Sequence, residues 1–107
     1  MKIPLTDENF QKEVLENRKP VIVEVSAHWS GSTHIIKPIL KRMAMKYNGQ
    51  IIFGDLNIDT NKKTVREYCL TTVPVIMVFN NGNIVDQLSG VFSNNDLEKL
   101  IKTVLHS

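Results

Sequence analysis

The sequence predicts an α/β fold in which a central mixed β-sheet of about five strands is flanked by four helices. Short apolar runs alternate with segments of helical periodicity from the start of the chain to about residue 70, a pattern typical of parallel strands joined by right-handed crossovers. The Asn81-Gly82 pair then separates two strand-like runs and indicates an antiparallel hairpin. Because no linker, repeat or low-complexity tract interrupts residues 1–107, we expect one domain.

The first strand and the first helix are indicated by the residues on either side of Leu5. Residues 2–5 form a short run whose Pro4 suits an edge strand. Thr6 or Asp7 can cap a helix that follows and runs to about residue 17.

The second strand and the second helix form the predicted centre of the molecule. Residues 21–25 are apolar except for Glu24, as expected of a central strand that is covered on both faces. A helical pattern follows to about Tyr47, with Ser30 as its N-cap and a kink expected at Pro38.

The third strand is predicted at residues 51–57, and a short helix follows it. Asp59 or Thr60 can cap this helix. It ends near Cys69, which we expect to be a small core or half-buried residue, because a free cysteine usually behaves as a small hydrophobe.

The chain is predicted to end with a hairpin and an amphipathic helix. Residues 75–79 and 84–88 form the two strands of the hairpin. Ser93 with Asp96 resembles a capping box in which aspartate replaces the usual glutamate or glutamine. The last helix then carries apolar residues at helical spacing, namely Leu97, Leu100, Ile101, Val104 and Leu105.

Composition excludes several classes of protein. The 107 residues are 42% hydrophobic and 22% charged, with a net charge of +2 and both signs interspersed, so we expect no nucleic-acid interface. No apolar segment is long enough for a signal peptide or a bilayer span, which predicts a cytoplasmic protein without a membrane partner. The single cysteine cannot form an internal disulfide. We expect a monomer.

The turn from residue 29 to residue 33, between the second strand and the second helix, is the predicted functional site. The exit from a strand into a helix is where α/β proteins usually place their chemistry. This turn offers hydroxyls and a glycine, but it has no thiol, metal-ligand pair or phosphate loop. His28 and His34 flank it. They are expected to face solvent, although a Ser–His nucleophile pair is an alternative.

Metal and cofactor binding are not predicted. A zinc site that used the two histidines beside the turn would need further ligands, and only His106 and Cys69 are left to supply them. Both are distant in sequence from the turn.

Four motifs in order resemble those of the thioredoxin family. The stretch VIVEVSAHWSGSTHIIKPIL resembles the segment in which a buried acid precedes an A-x-W-C-G-P-C motif and a helix with an internal proline. FGDLNIDTN resembles the family's third strand, and TTVPVIMVFNNG resembles its loop with a cis-proline followed by a strand and hairpin. Gly90 matches a glycine beside the active site. The resemblance covers nearly the whole chain and implies a thioredoxin fold with a cis Val73-Pro74 bond.

The chain departs from the family at the centre of its active-site motif. Ser30 and Thr33 stand where the family has its nucleophilic and resolving cysteines, and Ser32 replaces the intervening proline. Dithiol exchange needs a thiolate that attacks sulfur and a second thiol that resolves the mixed disulfide. The family label implies a thiol–disulfide oxidoreductase in cell redox homeostasis, but the missing thiols predict a redox-inactive protein that is not an enzyme.

The resemblance also implies a buried acid beside the degenerate motif. Glu24 matches the family's buried carboxylate, whereas Asp55 replaces the lysine that usually lies across the site. We therefore expect two buried carboxylates close together. Glu24 is expected to be hydrogen-bonded to Thr33, Ser26 or water, and the alternative is a general acid or base in a new reaction.

The substrate-binding rim of the family is retained. In thioredoxins this rim holds an extended polypeptide by a form of strand addition. The first hypothesis is therefore a non-covalent polypeptide-binding or scaffold module. The alternative is a glutathione-binding or transferase-like enzyme that uses Ser30 at the helix N-terminus. The predicted partner-binding residues are Trp29, Gly31, Val73, Pro74 and Gly90.

Overall fold

A computed structural model describes residues 2–106 and contains a five-stranded sheet in the order β1-β3-β2-β4-β5. The first three strands are parallel, since β3 pairs with β1 on one side and with β2 on the other. β4 runs antiparallel to β2, and β5 runs antiparallel to β4. The predicted mixed sheet is confirmed. The strands are β1 (Lys2–Leu5), β2 (Val21–Ser26), β3 (Ile52–Asn57), β4 (Val75–Asn80) and β5 (Asn83–Ser89).

Helices cover both faces of the sheet. α1 (Gly31–Lys46) and α3 (Asn94–Leu105) bury their apolar residues in a core on one face. A π-helical turn (Gln11–Leu15) and α2 (Lys62–Glu67) contribute to a second core on the other face. No helix within residues 2–106 is both long enough and apolar enough to cross a bilayer.

The first helix differs from the prediction. Its regular part is a π-helix of five residues, in which the Glu16 amide donates to the Gln11 carbonyl at 3.0 Å. Thr6 begins this segment as expected, because its hydroxyl accepts from the Asn9 amide at 3.1 Å. The Asn9 side chain accepts in return from the Thr6 amide at 2.7 Å.

Asp7 caps a different helix from the one that the sequence indicated. Its carboxylate accepts from the Thr64 amide at 2.9 Å, the Lys63 amide at 3.2 Å and the Thr64 hydroxyl at 2.7 Å. The prediction that Asp59 or Thr60 caps α2 is wrong: Asn61 is the N-cap residue, and the capping side chain comes from Asp7. Burial alone would raise the pKa of the Asp7 carboxyl, but these hydrogen bonds outweigh it and lower the pKa.

The hairpin turn and the capping box near the end of the chain were predicted correctly. Asn81 and Gly82 have φ of 53° and 82°, as the hairpin turn requires. Ser93 and Asp96 form a reciprocal capping box, with the Asp96 amide donating to the Ser93 hydroxyl at 3.1 Å and the Ser93 amide donating to the Asp96 carboxylate at 3.0 Å.

The expectation that Cys69 is a core or half-buried residue is wrong. Its side chain is exposed, and its φ of 54° lies in the left-handed region. The Cys69 amide donates to Arg66, and the Leu70 amide donates to Val65, the two bonds of a Schellman motif. Glycine is the usual residue at this position, because it has no Cβ to clash there. The cysteine therefore terminates α2.

Candidate functional site

The turn at Ser30 and Thr33 is held by the two hydroxyls that replace the expected thiols. Ser30 is the N-cap of α1, and its Oγ accepts from the Thr33 amide at 3.2 Å. The Thr33 Oγ1 accepts in turn from the Ala27 amide at 3.4 Å. Both side chains are buried. The two hydroxyls therefore serve the local structure, and neither can carry out thiol–disulfide exchange.

Neither histidine ring is hydrogen-bonded to the Ser30 hydroxyl within residues 2–106. Both are exposed, as expected. A ring nitrogen of His34, Nε2, lies 2.8 Å from the backbone carbonyl oxygen of His28, so this nitrogen carries the proton and donates it. Nε2 therefore cannot act as a base for Ser30. Within residues 2–106, no group of three or more His, Cys, Asp or Glu side chains is placed to hold a metal ion.

Trp29 stands out from the turn. Its side chain is 69% exposed, although its indole Nε1 donates a hydrogen bond of 2.8 Å to the Asp59 carboxylate. This bond fixes the edge of the ring and leaves an apolar face open to solvent. Neighbouring Gly31 is also exposed, and a side chain added there would meet no atom within 4 Å.

The Val73-Pro74 bond is cis, as the resemblance implied. It precedes β4, whose first residue Val75 lies opposite Val25 near the carboxyl end of β2. The sheet pairing therefore brings this loop to the same end of the molecule as Trp29. The Val73 amide and carbonyl have no backbone partner within residues 2–106.

Gly90 joins this end of the sheet through its backbone. Its amide donates to the Pro74 carbonyl at 2.9 Å, and its φ of 78° favours glycine. Val91 beside it is 54% exposed. We call the surface around these residues the groove; it comprises the exposed Trp29 and Val91, the half-buried Val73 and Gly90, and the buried Pro74.

The predicted pair of buried carboxylates needs correction. Glu24 and Asp55 are register partners on β2 and β3, but only Glu24 is fully buried, and Asp55 is half-buried. The Asp55 carboxylate accepts from the Ser26 hydroxyl at 2.7 Å. Glu24 bonds to neither Ser26 nor Thr33.

Glu24 has a cationic partner that the sequence reading missed. The Lys2 ammonium on β1 forms an ion pair with Glu24 Oε1, so the lysine comes from β1, beyond β3. Removing one member of such a pair leaves an uncompensated charge in the core. Glu24 Oε2 has no hydrogen-bond partner among residues 2–106. The positions of residues 2 and 24 gave no signal for this contact, because it depends on the strand order.

A polar depression of about 600 Å³ opens beside the turn, on the side of β1. Its lining includes Lys2, Thr33 and Asp55. It reaches His28, next to Trp29, whereas the rest of the groove adjoins β4 and β5 on the other side of β2.

Comparison with known proteins places similar chains in one family. A family model described as Thioredoxin matches residues 1–103. The chain is 33% identical over 96 residues to Thioredoxin of Chlorobaculum thiosulfatiphilum, covering 90% of this chain and 89% of that protein. It is 36% identical over 93 residues to Thioredoxin of Rickettsia felis, covering 87% and 89%. It is 30% identical over 97 residues to mitochondrial Thioredoxin of Mus musculus, covering 91% and 58%.

Proposed function

Because this chain belongs to the thioredoxin family, we propose that it is a redox-inactive member that binds a polypeptide partner non-covalently. The partner lies in extended conformation in the groove, and the protein acts as a binding or scaffold module. One observation carries the proposal: hydroxyls occupy both positions of the dithiol, while Trp29 and Val91 of the groove expose apolar side chains to solvent.

The proposed lack of redox activity follows from the absence of sulfur at the turn. Thiol–disulfide exchange requires sulfur both as nucleophile and as leaving group. Cys69, the only cysteine in the chain, follows the C-terminal end of α2 and is not part of the turn. The α1 N-terminus can still stabilise an anion, but the residue in front of it is a capping serine.

Polypeptide binding is supported by the chemistry of the groove. Trp29 and Val91 present exposed apolar surface, and aromatic residues are favoured anchors at protein interfaces. The free amide and carbonyl of Val73 can pair with an extended backbone, as an added strand does. Burial of these side chains would supply affinity, and the backbone pairing would fix the register.

The cellular location and the class of partner are proposed from the charge of the chain. We propose a monomer in the cytoplasm, with neither nucleic acid nor a membrane as its partner. The charged residues carry a net charge of +2 and are interspersed along the chain, which favours neither a nucleic-acid footprint nor a polybasic membrane patch.

Glutathione binding at Ser30 is the second candidate, and one feature supports it: the serine lies at the N-terminus of α1. Its support is weaker, because the Ser30 Oγ is buried and already accepts from the Thr33 amide. Calorimetry with glutathione separates the two functions. Binding in the micromolar to low millimolar range, about −8 to −4 kcal/mol, that is lost in Ser30→Ala would favour the glutathione site.

Affinity capture from the native cell, with matched variants, tests the polypeptide proposal. Val91→Asp places a charge in the groove, whereas Val85→Asp places the same charge at an equally exposed valine of β5 (54% and 53% exposed). We expect a polypeptide that wild type and Val85→Asp retain, and that Trp29→Ala and Val91→Asp retain about tenfold less, as loss of a hot spot predicts. Capture of no polypeptide, or equal retention by all four proteins, would refute the proposal.

A further inference from the structure

Helix α1 carries an unbalanced charge. Its sixteen residues include four lysines and arginines and no aspartate or glutamate. Lys46 lies in the last turn, where a cation stabilises the helix, but Lys37 and Lys41 lie one turn apart and repel each other. The excess of positive charge lies on the exposed part of α1.

Two of these cations are unpaired. Lys46 forms an ion pair with Glu98 of α3, and Arg42 donates to the Asn94 side chain at 3.1 Å. Lys37 and Lys41 have neither an ion pair nor a side-chain hydrogen bond within the described chain. They lie four residues apart and therefore face the same side of the helix.

The side that they face is a trough with an apolar floor. It lies between α1 and the edge strand β1, has a volume of about 500 Å³, and is lined almost entirely by apolar surface. Met45 is 70% exposed there, and the aliphatic stems of the lysines complete the walls. We call this surface the basic trough; it comprises Lys2, Lys37, Lys41, Ala44 and Met45.

We propose that the basic trough is a second docking surface, which receives an acidic polypeptide segment with one large apolar side chain. The apolar side chain fills the space over Ala44 and Met45. Its flanking carboxylates pair with Lys37 and Lys41, whose charges nothing in the described chain neutralises. Lys2 contributes its stem and not its charge, because its ammonium is paired with Glu24.

The neighbouring polar depression sets the direction of the segment. Asp55 and Glu8 line that depression, which shares Lys2 and Lys37 with the basic trough. Further acidic residues of the partner, beyond those that pair with Lys37 and Lys41, are repelled from the depression. The rest of the segment therefore extends along α1 away from Thr33.

A polypeptide fits this surface better than an anionic bilayer does. The trough is concave and a protruding side chain can enter it, whereas a membrane-binding helix presents a broad apolar face. The large exposed apolar residues of α1 are Ile35 and Met45, which lie nearly three turns apart along the helix. This surface lies on the β1 side of the sheet and is separate from the groove, so the two proposals are independent.

Chemical-shift mapping with a defined peptide tests the inference. The probe is a short peptide of glutamates around a central phenylalanine with blocked ends, titrated into the ¹⁵N-labelled protein. We expect amide shifts between Lys37 and Met45 and along β1. Replacing the phenylalanine by serine weakens binding about tenfold, the loss expected for one buried aromatic side chain. Replacing the glutamates by lysines abolishes binding.

Charge reversal supplies the matched control. Lys37→Glu with Lys41→Glu is expected to weaken peptide binding at least tenfold. Lys12→Glu with Lys19→Glu makes the same change in net charge at exposed residues near the π-helical turn, away from α1, and should change affinity less than twofold. Met45→Ser is expected to weaken binding of the phenylalanine peptide and to leave the serine peptide unaffected.

Three results would overturn the inference. The first is equal weakening by both charge-reversal pairs, which would mean that only net charge matters. The second is shift changes that map to Trp29 and Pro74, or no shifts at all. The third is saturable binding to phosphatidylglycerol vesicles by a protein that ignores the peptide.

Discussion

Lys2 and Glu24 show how a single side-chain pair can depend on strand order. The resemblance to thioredoxins implied a buried acid at Glu24, and this side chain is fully buried in the central strand. It suggested Asp55 as the neighbour, and the register confirms that these residues are partners on adjacent strands. It could not indicate Lys2, because this lysine reaches Glu24 across β3 from the edge strand.

The coupling between Lys2 and Glu24 is our first prediction. Lys2→Met leaves a buried carboxylate without its cation, so we expect a loss of about 1–3 kcal/mol in the free energy of unfolding, less than for a fully buried pair, because Lys2 is partly exposed. In the Glu24→Gln background the same change should cost much less. Urea denaturation of the four proteins measures the coupling energy. A coupling near zero would show that the ion pair contributes nothing to stability.

The left-handed conformation of Cys69 gives the second prediction. A residue with a Cβ is disfavoured at its φ of 54°, so Cys69→Gly should stabilise the protein by about 1 kcal/mol. Cys69→Ala keeps the Cβ and should leave stability close to wild type. Thermal unfolding of the three proteins provides the comparison. Stabilisation by alanine as large as that by glycine would assign the effect to loss of the thiol instead.

Among the helices, the caps supplied by the residue directly before the helix were predictable. The cap supplied by a distant residue was not. Ser30 and Ser93 precede their helices directly, and both were identified from local sequence. The cap of α2 comes from Asp7, which is more than fifty residues away in the chain. Only the packing of the first helical segment against α2 on one face of the sheet brings it there.

The pH dependence of this cap is our third prediction. The pKa of Asp7 is lower in the folded protein than its ordinary value of 3.8, so its stabilising effect is complete above the unfolded pKa. The effect is lost as the pH falls through the folded pKa. Asp7→Asn should therefore be less stable than wild type at pH 7, and the difference should shrink below about pH 4. Denaturation at several pH values measures this.

Glu8→Gln is the control for the same experiment, because Glu8 is exposed and forms no hydrogen bond or ion pair within the described chain. It should follow wild type at every pH. A difference between Asp7→Asn and wild type that stays constant down to pH 2 would contradict the assigned role of the carboxylate.

At the scale of the whole molecule, the fold was predictable, and the surfaces were predictable only in part. The alternation of apolar strands and helices, together with the hairpin signal, indicated the mixed sheet. Sheet order then assembles the groove at one end, from residues that the resemblance had identified one by one. The basic trough could not be predicted, because it depends on which side of α1 faces β1.

The turn between β2 and α1 folds without a dithiol. Ser30 retains the N-cap position and Thr33 retains a buried hydrogen bond, so the turn folds without sulfur. The positions of the groove residues are set by the strands that they adjoin, and no cysteine takes part. The local structure of the turn and of the groove therefore does not require a dithiol.

Reduction of insulin by dithiothreitol, followed by turbidity, shows whether this protein catalyses thiol–disulfide exchange. We predict that the wild-type protein leaves the rate at that of dithiothreitol alone, because no dithiol is present at the turn. Ser30→Cys with Thr33→Cys should accelerate the reaction, which would show that the surrounding fold is competent. Cys69→Ser should match wild type. Acceleration by the wild-type protein comparable with that of a dithiol thioredoxin would contradict the account.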